Sequence, residues 1–340
     1  MARCRAMPAN SAKPALRVIE WVRYPTGVWN LPRELAVGLA TAVPGVQVHC
    51  PESRAEAEAL LPEADVVLGF LVRPENLAAA KKLRWIHSTA ASATHVLFPA
   101  LTESDVVVTN ARGLHAGAMA EHALGVMLAF VRQLHHARDA QRARVWAQED
   151  MSARGFGTLG GATLGLVGLG AIGSALATRA GALGMRVLAV RQHPAADPAP
   201  AHAQWPVSRL HDMLEQSDFV VVVAPHTSAT ERMFGAAEFA RMKPEARFVN
   251  LGRGALADEA ALVDALHSGR LAGAALDVFQ EEPLPKTSPL WDLPEVILTP
   301  HISGLGPRYW ERAMLQFIEN LRRYVAGEPL HNVVDKRAGY

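Results

Sequence analysis

Residues 164–177 read LGLVGLGAIGSALA. An apolar run leads into Gly168, Gly170 and Gly173, spaced G-x-G-x-x-G, and an alanine-rich stretch follows. A strand feeding a glycine turn that opens a helix is a device for gripping a pyrophosphate. The first glycine permits the tight turn, the second lets backbone approach the phosphates, and the third lets helix pack on strand. The helix N-terminus then offers free N–H groups and partial positive charge to the anion. The turn therefore predicts a dinucleotide-binding domain. Its place in the middle of the chain predicts that this domain is inserted into another.

Outward from the turn, short apolar runs alternate with helical stretches in both directions. On the C-terminal side the predicted strands are Thr163–Gly168, Arg186–Val190, Phe219–Val223, Arg247–Leu251, Gly273–Val278 and Val296–Leu298. Helices are predicted at Ala171–Leu183, Val207–Glu215, Ala236–Met242 and Asp258–Ser268. Continuous runs such as FVVVVA are what a sheet buried on both faces requires. On the N-terminal side the predicted strands are Leu16–Val22, Val46–Cys50, Val66–Gly69, Arg84–Ser88 and Val106–Asn110. Helices are predicted there at Glu34–Ala42, Glu52–Leu60, Glu75–Lys82 and Thr94–Leu101. A long helix over Ala116–Arg138 links the two series, and a last one over Pro307–Val325 returns to the first. The order predicts α/β architecture with two parallel sheets. The expected division is a substrate domain from residues 1–115 and 304–340, with a Rossmann domain over 116–303 inserted between them.

The 340 residues suit two domains, and a net charge of +1 gives no footprint for nucleic acid or a membrane surface. Two cysteines, Cys4 and Cys50, fit a reducing, cytoplasmic compartment rather than a disulfide framework. The first residues read as a disordered lead-in without the apolar core of a signal peptide. Leu159–Thr178 carries no charge and has the length of a membrane span, but its six glycines and strand–turn–helix pattern assign it to the nucleotide fold. Fourteen histidines show no tight Cys/His or H-E-x-x-H spacing, so no metal is expected.

Polar groups concentrate in three segments: NLGRG (Asn250–Gly254), LDVFQEEP (Leu276–Pro283) and LTPHISG (Leu298–Gly304). Each lies at the C-terminal end of a predicted parallel strand, where open α/β sheets form their ligand crevice. Arg253 offers a planar donor fork for a carboxylate or carbonyl. His301 titrates near neutral pH, as a proton donor to a developing alkoxide must, and Glu282 would orient its ring. The set suits hydride transfer between a nicotinamide and a 2-oxo or 2-hydroxy acid.

With these motifs assembled, the chain resembles the D-isomer-specific 2-hydroxyacid dehydrogenase family. The resemblance rests on VGLGAIG, VAPHTSAT, MKPEARFVNLGRGALADEAAL, GAALDVFQEEPLP and TPHISG, and on LRWIHSTAASATHV and VVVTNARGLHAGAMAEHALGVMLA before them. It implies a flavodoxin-like substrate domain with an inserted Rossmann domain. It also implies that Arg253 binds the substrate carboxylate and carbonyl, that His301 is the acid–base, and that Glu282 is its partner. Ala171 and Ile172 match residues whose backbone meets the pyrophosphate. Asp277 matches the aspartate that holds the nicotinamide carboxamide. Leu251, Gly252 and Arg253, with His301 and Gly304, line the nicotinamide side. Pro225, Thr227 and Thr230 match the turn under the adenosine. Ala91, Ser92 and Ala93 match the loop whose amides receive the substrate carboxylate. Trp146 and the basic segment Arg138–Arg154 match the usual homodimer region.

Two positions depart from the family pattern. The substrate loop has Ser92 where the family usually has glycine. After the second Rossmann strand, where an acidic residue normally takes the ribose hydroxyls of NAD, stands Arg191. An arginine pairs with a 2′-phosphate, so NADP(H) is preferred. Stacking of Arg191 on adenine with NAD(H) bound is the opposing reading. The expected activity is a 2-oxoacid reductase acting on glyoxylate, hydroxypyruvate or a larger acid. A phosphite-type dehydrogenase and a non-enzymatic corepressor-like dinucleotide sensor are the alternatives. Glutamate at 282 argues against formate dehydrogenases, which have glutamine there. The chain's length argues against phosphoglycerate dehydrogenases with a regulatory domain.

Overall fold

The structure is a computed structural model that describes residues 15–23 and 29–339, so the expected lead-in and Cys4 lie outside the described residues. The chain forms two units: one runs to Leu114 and resumes at Arg308, and the other spans His115–Pro307.

The first unit is a five-stranded parallel sheet of β1 (Leu16–Trp21), β2 (Val46–His49), β3 (Val66–Gly69), β4 (Trp85–Ser88) and β5 (Val107–Asn110), in the order β2-β1-β3-β4-β5. That is the flavodoxin-like order. β3 and β4 are buried at every position, which demands cover on both faces. The C-terminal helix Tyr309–Ala326 supplies part of it: Phe317 and Tyr324 lie with ring centroids 5.3 and 5.5 Å from Trp85.

Two helices expected in this unit are much shorter. Of Glu75–Lys82 only one 3₁₀ turn forms, Leu77–Ala79. Here Asn76 Oδ1 accepts from Arg73 N and its Nδ2 donates to Leu71 O, a side-chain turn that competes with helix. Of Thr94–Leu101 only Pro99–Thr102 is helical, because Pro99 forces Phe98 into extended backbone and starts the helix late.

The second unit is a seven-stranded parallel sheet: β6 (Thr163–Val167), β7 (Arg186–Val190), β8 (Ala203–Trp205), β9 (Phe219–Val222), β10 (Arg247–Asn250), β11 (Gly273–Leu276) and β12 (Val296–Leu298). The order is β12-β11-β10-β9-β6-β7-β8. The winding reverses between β6 and β9, the switch point at which doubly wound sheets bind ligands. β8 is a three-residue, half-buried edge strand, too short to show a hydrophobic period. The helix expected over Ala116–Arg138 is two helices, Ala116–Val131 and Leu134–Ala143. Gln133 breaks it in a left-handed conformation (φ 54°), which costs about 1–2 kcal/mol. Its buried side-chain amide offsets that cost by donating to Met151 O at 2.9 Å and Gly155 O at 2.5 Å. Leu159–Thr178 forms a turn, β6 and the start of the helix Ala171–Ala182. Among the described residues no helix is long and apolar enough to cross a membrane.

Candidate active site

β6 is buried at all five positions and ends at Gly168, whose φ of +99° favours glycine. The helix Ala171–Ala182 starts pressed against this turn: a Cβ on Gly173 would lie 2.1 Å from Gly168 O. A Cβ on Gly170 would meet no protein atom within 4 Å. Among the described residues the helix N-terminus has no side-chain cap, and its first turn has no acidic residue, so the amides of Ala171 and Ile172 are open to an external acceptor. The glycine geometry and this uncapped, unneutralised helix end fit a dinucleotide pyrophosphate.

Arg191 directly follows β7. Its backbone N donates to Trp205 O at 3.0 Å, and its half-buried side chain makes no ion pair with a described residue. After β9, Thr230 Oγ1 donates to Pro225 O (2.7 Å) and accepts from Thr227 N (2.8 Å), closing the Pro225–Thr230 turn. His226 in that turn sits 3.8 Å from Glu231.

Arg253, Glu282 and His301 stand on the loops that leave three neighbouring strands, β10, β11 and β12, at one edge of the sheet. Buried Asn250 shapes the first loop: its Oδ1 accepts from Gly252 N (3.1 Å) and its Nδ2 donates to Arg253 O (3.0 Å). Arg253 Nη1 donates to Gly252 O at 2.7 Å. The second loop is pressed on the first, for a Cβ on Gly254 would lie 1.9 Å from Phe279 C. Phe279 N donates to Glu282 Oε1 at 3.0 Å, and Glu282 Oε2 lies 2.7 Å from His301 Nδ1. A carboxylate only accepts, so Nδ1 carries the proton in that bond and Nε2 keeps its lone pair. Both side chains are partly exposed, His301 at 46% and Glu282 at 35%, so the pair is open to a substrate. Glu281 is exposed.

The His301 loop hangs on Asp277, which is fully buried. Asp277 Oδ1 accepts from Thr299 Oγ1 (2.5 Å) and Ile302 N (2.9 Å), and Oδ2 accepts from Ser303 N (2.9 Å). His301 N donates to Asp277 O at 2.9 Å, with His301 itself at φ 53°. Because the Thr299 hydroxyl gives its proton to Asp277, the contact of His122 Nε2 at 3.3 Å is a donation to Thr299 Oγ1. Burial pushes the His122 imidazole below its ordinary value, and the Asp277 charge opposes that. At the loop's far end His115 Nδ1 pairs with Gly304 O at 2.9 Å. Asn250, Thr299 and His122 are thus positioning residues that the sequence reading passed over. Asn250 and Thr299 stood inside the quoted motifs as polar residues at the ends of apolar strands, and that was their only signal.

In the first unit, Ala91–Ala93 follow β4. Among the described residues their three amides donate to no protein acceptor, while Ala91 O accepts from Asn110 Nδ2 at 2.8 Å. None of the three has positive φ, so serine in place of glycine at 92 imposes no backbone strain. Tyr309 OH donates to Thr89 O just before this loop, and its ring packs edge-on against Trp29 and Trp310.

Known proteins agree with this architecture. The profile of the D-isomer specific 2-hydroxyacid dehydrogenase NAD binding domain matches residues 124–303. A D-3-phosphoglycerate dehydrogenase of Mycobacterium leprae is 37% identical over 294 residues, 84% of this chain and 54% of that protein. A glyoxylate reductase of Korarchaeum cryptofilum is 33% identical over 282 residues, 81% of this chain and 83% of that one. Among solved structures, an NADPH-dependent glyoxylate/hydroxypyruvate reductase from Sinorhizobium meliloti, in complex with NADP and sulfate, matches with a TM-score of 0.80. It is 28% identical and covers 96% of this chain and 100% of its own. The chain spans about half the length of the D-3-phosphoglycerate dehydrogenases it matches. This chain belongs to the D-isomer-specific 2-hydroxyacid dehydrogenase family, as the motifs led us to expect.

Proposed function

We propose that this protein is an NADP(H)-preferring 2-oxoacid reductase of D-hydroxyacid stereochemistry. The observation that carries the reading is the 2.7 Å Glu282–His301 pair on loops leaving adjacent strands of a dinucleotide-binding sheet. A bound nicotinamide supplies or accepts the hydride at C2 of the acid. His301 Nε2 gives a proton to the developing alkoxide on reduction and takes it from the hydroxyl on oxidation. Glu282 fixes the ring through Nδ1. The Arg253 guanidinium pairs with the substrate carboxylate and polarises the carbonyl, and the Ala91–Ala93 amides serve as further carboxylate donors. Leu251, Gly252 and Gly304 line the nicotinamide side. Asp277 has acceptor capacity left on Oδ2 for the carboxamide, beyond its role in holding the loop.

Arg191 supports NADP(H) over NAD(H), since a guanidinium pairs with a 2′-phosphate that an acidic residue would repel. The similar Sinorhizobium protein is described as NADPH-dependent. Glyoxylate and hydroxypyruvate lead the substrate class, with larger 2-oxo acids next. Trp146 is 89% exposed, and Leu134, Val145 and Phe156 near it in sequence are exposed as well, which supports a homodimer contact along this segment. A cytoplasmic location belongs to the same reading.

The experiment is steady-state NADPH oxidation with a panel of 2-oxo acids, for the wild type and His301→Ala. We expect turnover with at least one acid. His301→Ala should lower it by about 10²–10⁴-fold while NADPH binding persists. Tight NADPH binding without turnover of any acid would overturn the enzymatic reading, and a near-normal rate for His301→Ala would overturn the assignment.

A further inference from the structure

His135 and His136 open the helix Leu134–Ala143, and Glu295 immediately precedes β12, 159 positions after His136. The fold brings one ligating atom from each within 4.8 Å of the others. His136 Nε2 is 3.3 Å from Glu295 Oε2, His135 Nε2 is 3.9 Å from the same oxygen, and the two imidazole centroids are 4.0 Å apart. A tetrahedral zinc ion with bonds of about 2.0–2.1 Å sets its ligands about 3.3 Å apart. The trio is therefore within about half an ångström of that spacing on both measured edges.

The local bonding favours ligation. His135 Nδ1 lies 3.3 Å from Ala129 O, which can only accept, so Nδ1 carries the proton and Nε2 has the lone pair. Nε2 is buried and has no hydrogen-bond partner among the described residues. A histidine whose other ring nitrogen is tied to a backbone carbonyl is the usual oriented metal ligand. Glu295 divides its oxygens: Oε1 takes Arg154 Nη1 at 3.2 Å, and Oε2 faces the imidazoles. The guanidiniums of Arg154 and Arg247 weaken the pull on a dication. The expected affinity is accordingly modest.

We propose that His135, His136 and Glu295 form a site for a divalent transition metal of the zinc class, completed by water. Sequence spacing leads to no metal being expected, because the third ligand is remote along the chain. Glu295 lies at the N-terminal end of β12, the end of the sheet opposite His301, so the metal's role there is structural. It ties the helix Leu134–Ala143 to the sheet edge.

The test uses untagged, chelator-treated full-length protein titrated with Zn²⁺ alone by calorimetry, and with Co²⁺ followed by visible absorption. We expect one Zn²⁺ per chain at this site, tetrahedral Co²⁺ bands, and a melting temperature that rises with Zn²⁺. His135→Gln and Glu295→Gln should each weaken binding at least about tenfold, since even loss of an outer-shell partner typically costs that much, and leave NADPH oxidation unchanged. If either variant fails to fold, His136→Gln decides. Equal Zn²⁺ affinity in the wild type and the variants overturns the proposal. So does a melting temperature that responds to pH but not to Zn²⁺, which would make the cluster a His136–Glu295 ion pair.

Discussion

Gly254→Ala tests whether the loops after β10 and β11 act as one rigid support for the proposed acid–base pair. The added Cβ would sit 1.9 Å from Phe279 C, 2.0 Å from Phe279 O and 2.5 Å from Gln280 N. Real Cβ contacts do not fall below 3.0 Å, so one loop must retreat by about 1.1 Å, from 1.9 to 3.0 Å. The obstacle is backbone and cannot rotate away as a side chain would. Overpacking of this kind costs about 1–3 kcal/mol, and a rigid neighbour puts this case at the upper end. For a unit of this size about 3 kcal/mol lowers Tm by about 6–12 °C. The shift also reaches the chemistry, because Phe279 N holds Glu282 Oε1 at 3.0 Å and Glu282 holds His301 at 2.7 Å. Misplacement by about 1 Å can cost about 10²-fold in rate. The assay is kcat/KM for the best 2-oxo acid with NADPH, paired with a thermal melt. Gly170→Ala is the control: its Cβ meets no protein atom, so it should melt like the wild type while KM for NADPH rises. A Gly254→Ala protein with wild-type Tm and turnover would refute the reasoning.

Three further outcomes are expected. Arg191→Ala should cut the NADPH-to-NADH ratio of kcat/KM by at least about tenfold, since a charge-assisted bond contributes about 1.5–3 kcal/mol before solvent screening at this half-buried position. Arg191→Asp should cut it further, and a wild-type preference for NADH would end the NADP(H) reading. Thr299→Val removes the 2.5 Å bond to buried Asp277 and should cost about 1.5–3 kcal/mol by urea unfolding, with kcat falling more than the affinity for NADPH. An unchanged kcat would show that the His301 loop does not depend on this clamp. His87 is fully buried, and burial pushes its imidazole down to about 3. The unfolded chain binds a proton there near pH 6.5 that the folded chain refuses, so stability falls as pH drops below 6.5. The slope from this group is about 1.4 kcal/mol per pH unit. Urea midpoints at pH 7 and pH 5 read this loss together with those from His122 and His135, whose imidazoles burial also lowers, and equal stability at the two would contradict the burial of neutral rings.

What the sequence disclosed follows from how parallel sheets are built. A strand buried on both faces must be an apolar run, as FVVV at 219–222 is, and the polar residues that follow it fall at the ligand-binding edge. That rule places Arg253, Glu282 and His301 at the strand ends, and the structure has them after β10, β11 and β12. The same rule is blind wherever a residue's role depends on a partner remote in the chain. Gly254 was visible as a motif glycine, but the carbonyl of Phe279 that forbids a side chain there was not. Asp277 was visible as a strand-end carboxylate, but nothing in LDVFQEEP tells that its oxygens turn toward Thr299, Ile302 and Ser303. Helix periodicity likewise could not register that Gln133 would trade helical backbone for two side-chain bonds to residues 18 and 22 positions away. Local pattern therefore locates the polar groups at the strand ends, and non-local contacts decide how firmly they are held. Substitutions that leave every motif intact, such as Thr299→Val, are for that reason the sharper probes of this site.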